Sequence, residues 1–155
     1  MEHLSLATEN ALSILEEAEE EGMIRRHWEE LAVDKNEVQL AIDWKKYREL
    51  DRMGMLSAIA VRRGGKLVGY SIMILSTGLH YRHCFEATMD VFWVAPEVRG
   101  RCAGRRLFRV HEAELKRRGV KRMHAGSKLH KDCSRLFKAL GYAPVELWHS
   151  KLLGD

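Results

Sequence analysis

A mixed α/β fold around one central sheet is the architecture this sequence predicts, and three observations predict it. Apolar residues recur at three- and four-residue spacing near the N-terminus. From Leu56 the period changes, and three strand-like apolar runs follow with turn chemistry between the first two. After Pro96, helical and strand-like segments alternate. At 155 residues the chain has the size of one domain, 1–155. Within it, residues 1–54 read as helices, 55–98 as a strand meander and 99–155 as a mixed C-terminal part.

The elements follow in order. Leu4, Ala7, Ala11, Ile14, Leu15 and Ala18 share one face of a first helix, which Gly22 stops. Ile24, His27, Trp28 and Leu31 form a second short stripe. Asp43 caps a third helix with Trp44, Tyr47 and Leu50 on one face and Gly54 at its end. "LSAIAV" and "KLVGYSIMIL" are strands joined by "RRGG", a hairpin turn. "CFEATMDVFWV" is a third strand, closed by Pro96. Residues 103–116 form a helix with Leu107, Val110 and Leu115 inward, and Gly119 stops it. "VKRMHAGS" is a strand, Asp132 caps a short helix ended by Gly141, and "VELWHSKLL" is a last strand.

Composition narrows the function classes. With 46% hydrophobic and 31% charged residues the chain reads as soluble and globular, not disordered. No run of about 18 apolar residues exists to span a membrane. The first residues are acidic, unlike the basic start of a signal peptide. Cys84, Cys102 and Cys133 are an odd set, far apart, which fits free thiols in a reducing cytosol, so a cytoplasmic protein is expected. No His/Cys cluster has zinc spacing, so no metal is expected. Residues 1–30 carry a net charge of −7 and residues 99–155 a net +10. Such a basic part suits nucleic acid or a phosphorylated small molecule. No recognition helix or aromatic-interleaved basic motif appears, so nucleic acid ranks last.

The stretch "APEVRGRCAGRRLF", residues 95–108, favours the phosphate. A strand runs into a turn, and a helix begins directly after it. A helix N-terminus offers unpaired N–H donors and partial positive charge. Gly100 and Gly104 permit close backbone approach, and Arg99, Arg101, Arg105 and Arg106 add formal charge. Neither a P-loop nor a dinucleotide fingerprint is present.

"VAPEVRGRCAGRRLF" resembles the acetyl-CoA motif of the GNAT family of N-acetyltransferases, Arg/Gln-x-x-Gly-x-Gly/Ala after a strand ending Val-x-Pro-Glu. Arg99 matches its first position and Gly104 its last, while Cys102 stands at the middle glycine. "SRLFKALGYAPVELWHSKLL" resembles the family's later helix and strand. "HWEELAV", "GKLVGYSIMI", "MDVFWVAPEVRG" and "LFKALGYAPVE" are similar to small phage and prophage GNAT proteins.

The resemblance implies a GNAT-like acyl-CoA N-acyltransferase fold. Its central sheet is mostly antiparallel and splays between strands 4 and 5. It implies acetyl-CoA as co-substrate, with no metal, and direct transfer of the acetyl group to a primary amine. That amine is a protein lysine or N-terminus, or a small amine. Backbone N–H groups of Arg99, Gly100, Arg101, Cys102, Ala103 and Gly104, with Arg105 close by, would hold the pyrophosphate. The pantetheine arm would pair with Phe92, Trp93 and Val94, with Leu129, His130, Ser134 and Phe137 on its other side. Residues 1–54 would shape the acceptor side, where His27 and Glu30 are the substrate-binding candidates.

A carboxylate general base is implied, and Glu86 and Asp90 are both candidates; a bulge would decide which face each takes. His80 and Tyr81, entering that strand, are candidates for a proton relay or substrate contact. The place where many members carry an acidic tyrosine is Phe137. A homodimer is common in the family. The alternative is a non-enzymatic module of the same fold that docks to a host or partner protein. One demand follows for Cys102: its φ must be negative, in the helical or bridge region, and a positive φ makes the cradle reading wrong.

Overall fold

A computed structural model describes residues 3–100 and 102–154. Its five strands form one sheet in the order β1 (Leu4–Thr8), β2 (Leu56–Arg63), β3 (Lys66–Gly78), β4 (Tyr81–Val94), β5 (Arg122–His124). Neighbours are antiparallel except β4 and β5, which are parallel. Helices α1 (Ala11–Glu20), α2 (Met23–Leu31), α3 (Trp44–Arg52), α4 (Ala103–Arg117) and α5 (Ser134–Ala139) flank the sheet. This is the mixed, mostly antiparallel architecture that the sequence predicts. Among the described residues, no helix is long and apolar enough to cross a membrane.

Local chemistry explains most boundaries. The Asp43 carboxylate accepts the Lys46 N–H at 3.0 Å and caps α3. Gly64 and Gly65, at φ 57° and 80°, turn β2 into β3, since two positive φ values match the twist of a tight hairpin. Asp132 accepts from the Ser134 N–H and hydroxyl at 2.9 and 2.8 Å and fixes the start of α5.

Two predicted elements differ. The helix expected from Leu4 begins only at Ala11, and residues 4–8 are strand β1. Leu4 and Leu6 also alternate with period two; Leu4 is buried and Leu6 packs on the core. Pairing with β2 wins over the three-four spacing, and the Asn10 side chain then caps α1 by accepting from the Ser13 N–H at 3.1 Å. The second difference is at the other end. "VELWHSKLL" forms no strand, and Val145, Leu147, Trp148, Leu152 and Leu153 are exposed. β5 is three residues long, not eight, so little edge remains for a further strand to pair with. Pro144 also lacks an N–H for a ladder.

Alternate β3 residues serve the two faces. Tyr70 meets α2 at His27, while Ser71 meets α4 at His111. His111 is fully buried and its two ring nitrogens share 3.0 Å hydrogen bonds with Ser71 and Ser57. Phe108, Leu115 and Phe137 pack with Met73 and Leu75 on that same face.

Candidate active site

The site begins where β4 loses its second neighbour. β5 pairs with β4 only at Glu86, Ala87 and Thr88. Beyond Thr88 the outer edge of β4 opens, while its inner edge stays paired with β3 to Val94. That is the expected splay. It leaves the outer edge of β4 from Met89 to Trp93 uncovered by β5, where an extended ligand could pair.

The same stretch is bulged. Ile72 pairs with Val91 and Met73 with Met89, so Asp90 is an extra residue on β4. The bulge swaps the alternation. Ala87 and Met89 precede it on the α4 face, and Phe92 follows it there against Phe108, at 4.8 Å between ring centroids. Val91 and Trp93 pack in the other cluster with α1, α2 and α3. Asp90 meets Tyr47 of α3, whose hydroxyl donates to Asp90 Oδ2. Burial, then this bond, pushes the Tyr47 hydroxyl well above its ordinary value, so it stays protonated and a donor. That bond takes Oδ2 only.

Glu86 has a different setting. It accepts from the Arg122 guanidinium of β5, and His124 Nε2 lies 3.6 Å away. The Arg122 hydrogen bond holds the Glu86 carboxyl below its usual range. Tyr81 is exposed and lies under Arg122, 5.5 Å from guanidinium to ring. His80 and Tyr81 form the hairpin end of β4, on the order of 25 Å along the strand from Asp90. The four catalytic candidates thus divide into Asp90 at the splay, Glu86 beside β5, and His80 with Tyr81 at the far end.

The cradle lies after β4. A single 3-10 turn, Pro96–Val98, leads to Arg99, whose N–H bonds to the Pro96 carbonyl and so, against the expectation, is already committed within the protein. Gly100 has φ 85°, Cys102 has φ 56° and ψ 18°, and α4 starts at Ala103. The expected negative φ at Cys102 is therefore overturned. The first N–H to bond inside α4 is that of Arg106, to the Cys102 carbonyl. The N–H groups of Ala103, Gly104 and Arg105 precede it and have no acceptor within the helix. At Gly104 a Cβ would come within 3.2 Å of Leu136, so glycine lets α4 sit close to α5. Arg101 lies outside the described residues.

Of the charge counted at this loop, part is committed. Arg99 donates both terminal nitrogens to Glu30, at 2.6 and 2.7 Å, and Nε to the Val94 carbonyl at 2.7 Å. Arg106 donates to the Leu4 carbonyl at 3.0 Å. Glu30 also accepts the Trp93 indole N–H at 2.9 Å, and the Arg99 bond, with help from Trp93, lowers its carboxyl to about 2. His27 stacks on Trp93 and shares a 2.9 Å hydrogen bond with Tyr70. Burial lowers its imidazole to about 4, so it is neutral at pH 7. Both substrate-binding candidates therefore already have partners inside the protein. On the far side of the splay, His130 and Leu129 are exposed, Ser134 is tied to Asp132, and Phe137 is buried edge-on to Phe108.

The family model for the acetyltransferase (GNAT) family matches residues 21–142, from α2 through the cradle to Tyr142. The chain belongs to the GNAT family. No curated protein matches it closely enough to carry an argument. Solved structures agree on the GNAT fold. Glucosamine-6-phosphate N-acetyltransferase from Arabidopsis thaliana has a TM-score of 0.72 at 12% identity, covering 99% of this chain and 100% of that one. Ribosomal-protein-alanine N-acetyltransferase from Brucella melitensis biovar Abortus 2308 has a TM-score of 0.64 at 15% identity, covering 99% and 100%. An aminoglycoside N-acetyltransferase solved with CoA has a TM-score of 0.69 at 15% identity, covering 97% and 96%.

The resemblance to the GNAT motif sets Cys102 at the position of its middle glycine. The motif's middle glycine is the residue type that takes a left-handed backbone without strain, and Cys102 takes that backbone in its place. Runs of backbone that include left-handed residues build N–H concavities for anions. The positive φ of Cys102 overturns the cradle as the sequence set it out, and what is left for an anion is the N–H groups of Ala103, Gly104 and Arg105 at the start of α4. The GNAT motif did not point to Tyr47 or to the Glu30–Trp93–Arg99 group. Tyr47 appears in the sequence only as one apolar position of a helix face, and its partner is 43 residues away.

Proposed function

We propose that the protein transfers the acetyl group of acetyl-CoA to a primary amine, with Asp90 as the general base. The observation that supports this reading is the β4 bulge at Asp90, on the stretch of β4 that β5 does not cover, with the carboxylate held by Tyr47. The residues present suit the co-substrate. Free N–H groups at the start of α4 suit its pyrophosphate, and the unpaired edge of β4 suits its extended arm. Arg105, exposed in the first turn of α4, adds a cation there.

Acetyl-CoA supplies an activated acetyl thioester once bound. Asp90 attracts the cationic amine and accepts its proton, at Oδ1, as the amine becomes a nucleophile. Tyr47 holds the carboxylate in place from Oδ2. An amine with a pKa near 10 arrives protonated at neutral pH, so a fixed carboxylate both selects and deprotonates it. Glu86 is committed to Arg122, and we assign it to fastening β5 to β4. No side-chain acid stands at Phe137, so the second proton, which the nitrogen still carries after attack, passes through water to the leaving thiolate.

Thiol release from acetyl-CoA over a panel of protein and small amines tests the reading. Asp90→Asn should lower kcat by roughly 10²- to 10⁴-fold with the affinity for CoA intact. Tyr47→Phe should cost about tenfold in kcat, the worth of one hydrogen bond to a charged group. Full activity in Asp90→Asn, with loss in Glu86→Gln instead, would move the base to Glu86.

A further inference from the structure

Arg99 is the last fastened residue before the cradle. Its side chain is held on three points: the Val94 carbonyl at 2.7 Å and both oxygens of Glu30 at 2.6 and 2.7 Å. Glu30 is itself held by the indole N–H of Trp93, which is 2% exposed. One carboxylate on α2 thus ties a helix of the acceptor side, the buried end of β4 and the entry to the phosphate loop into one unit. Downstream come Gly100 at φ 85° and Cys102 at φ 56°. A glycine there gives the backbone little preference of its own. The direction of the loop therefore depends on how firmly Arg99 is set.

The guanidinium charge is spent on Glu30, and its Nε on a β4 carbonyl. What Arg99 passes to the loop is position, not charge. Loops that are already ordered lose less entropy when a ligand binds, so such a fastening raises affinity without touching the ligand. Glu30 already accepts three hydrogen bonds, one at Oε1 and two at Oε2, and its charge is balanced by Arg99, so it is a poor partner for an amine acceptor.

We infer that Glu30 is a positioning residue for acetyl-CoA: by fixing Arg99, it preorganises the backbone N–H groups that receive the pyrophosphate. The inference rests on the acetyltransferase reading above. It departs from the sequence expectation that Glu30 binds the acceptor.

Titration calorimetry with CoA, together with steady-state kinetics, separates the roles. Glu30→Gln keeps the shape and an acceptor for Trp93 but loses the charged fork. It should weaken CoA binding and raise KM for acetyl-CoA by about tenfold, the scale of a charge-assisted pair, with kcat and the acceptor KM within about twofold. Arg99→Lys should do the same, because lysine has no fork, and the double variant should lose little more than either single one. Circular dichroism melts show that each variant is folded. If Glu30→Gln does not fold, Arg99→Lys alone carries the test. An unchanged affinity for CoA in the folded variant overturns the inference. So does a raised acceptor KM with CoA binding intact, which returns Glu30 to the acceptor site. If the unaltered protein does not bind CoA at all, the acetyltransferase reading itself fails, and that result is seen before any variant is made.

Discussion

Cys102 carries the sharpest consequence at the scale of single residues. A non-glycine residue in the left-handed region costs about 1–2 kcal/mol, and Cys102 holds it at φ 56° with its side chain exposed. Cys102→Gly should therefore stabilise the fold by about 1 kcal/mol and leave CoA binding unchanged. Cys102→Val, β-branched at the same φ, should destabilise it. Urea denaturation checks both. The sequence displayed the residue and its place in the loop, but not its φ. Asp90 was legible as a candidate for the opposite reason. Its residue type and strand were plain, while its separation from Glu86 waited on a bulge that no local pattern announces.

Among elements, α4 is bound to the sheet by a buried histidine, and this gives stability a pH dependence. Burial lowers the His111 imidazole to about 4 from an ordinary 6.5. The unfolded chain therefore binds a proton that the folded one refuses between those values. The stabilisation is complete above about pH 6.5 and is lost as pH falls through 4, by roughly 3 kcal/mol in all. His27, also lowered to about 4 but nearer solvent, acts in the same sense. Ion-paired carboxylates such as Glu30 and Glu17 have folded values below 4.5, so they add their own loss mainly at lower pH. Unfolding free energy should fall from pH 7 to pH 5, and His111→Gln should flatten much of that slope. An equal slope in His111→Gln would assign it elsewhere. The C-terminal stretch makes the opposite prediction. Residues 143–154 are all exposed, so removing residues 143–155 should change stability by no more than about 0.5 kcal/mol. These two ends were the least legible elements. β1 exists because β2 has an edge to pair with, and the tail forms no strand beside so short a β5. Both outcomes depend on a partner remote in sequence. α3 and the β2–β3 hairpin were legible because a capping aspartate and a Gly-Gly turn act locally.

Across the whole molecule, the acidic N-terminal charge is met mainly by the β2–β3 hairpin, and by the basic C-terminal part at Arg99. Acids of the first thirty residues meet cations from elsewhere: Glu9 and Glu17 both bind Arg62 at 2.7 Å, Glu21 binds Lys66 at 3.3 Å, and Glu30 binds Arg99 at 2.6 Å. Partly exposed pairs contribute modestly to stability. Their effect here is to seat α1 and α2 over the sheet next to the cradle. The fold class could be read from element order. The acceptor could not, because three structural relatives act on a sugar phosphate, a ribosomal protein and an aminoglycoside with one fold. The central claim is that this site binds acetyl-CoA and that Asp90 drives its use by an amine. The most direct measurement is titration with acetyl-CoA followed by thiol release on an amine panel, with the intact protein and Asp90→Asn side by side. The account predicts stoichiometric binding by both proteins, and amine-dependent thiol release by the intact protein alone. Absence of acetyl-CoA binding, or equal thiol release by the two proteins, would contradict it.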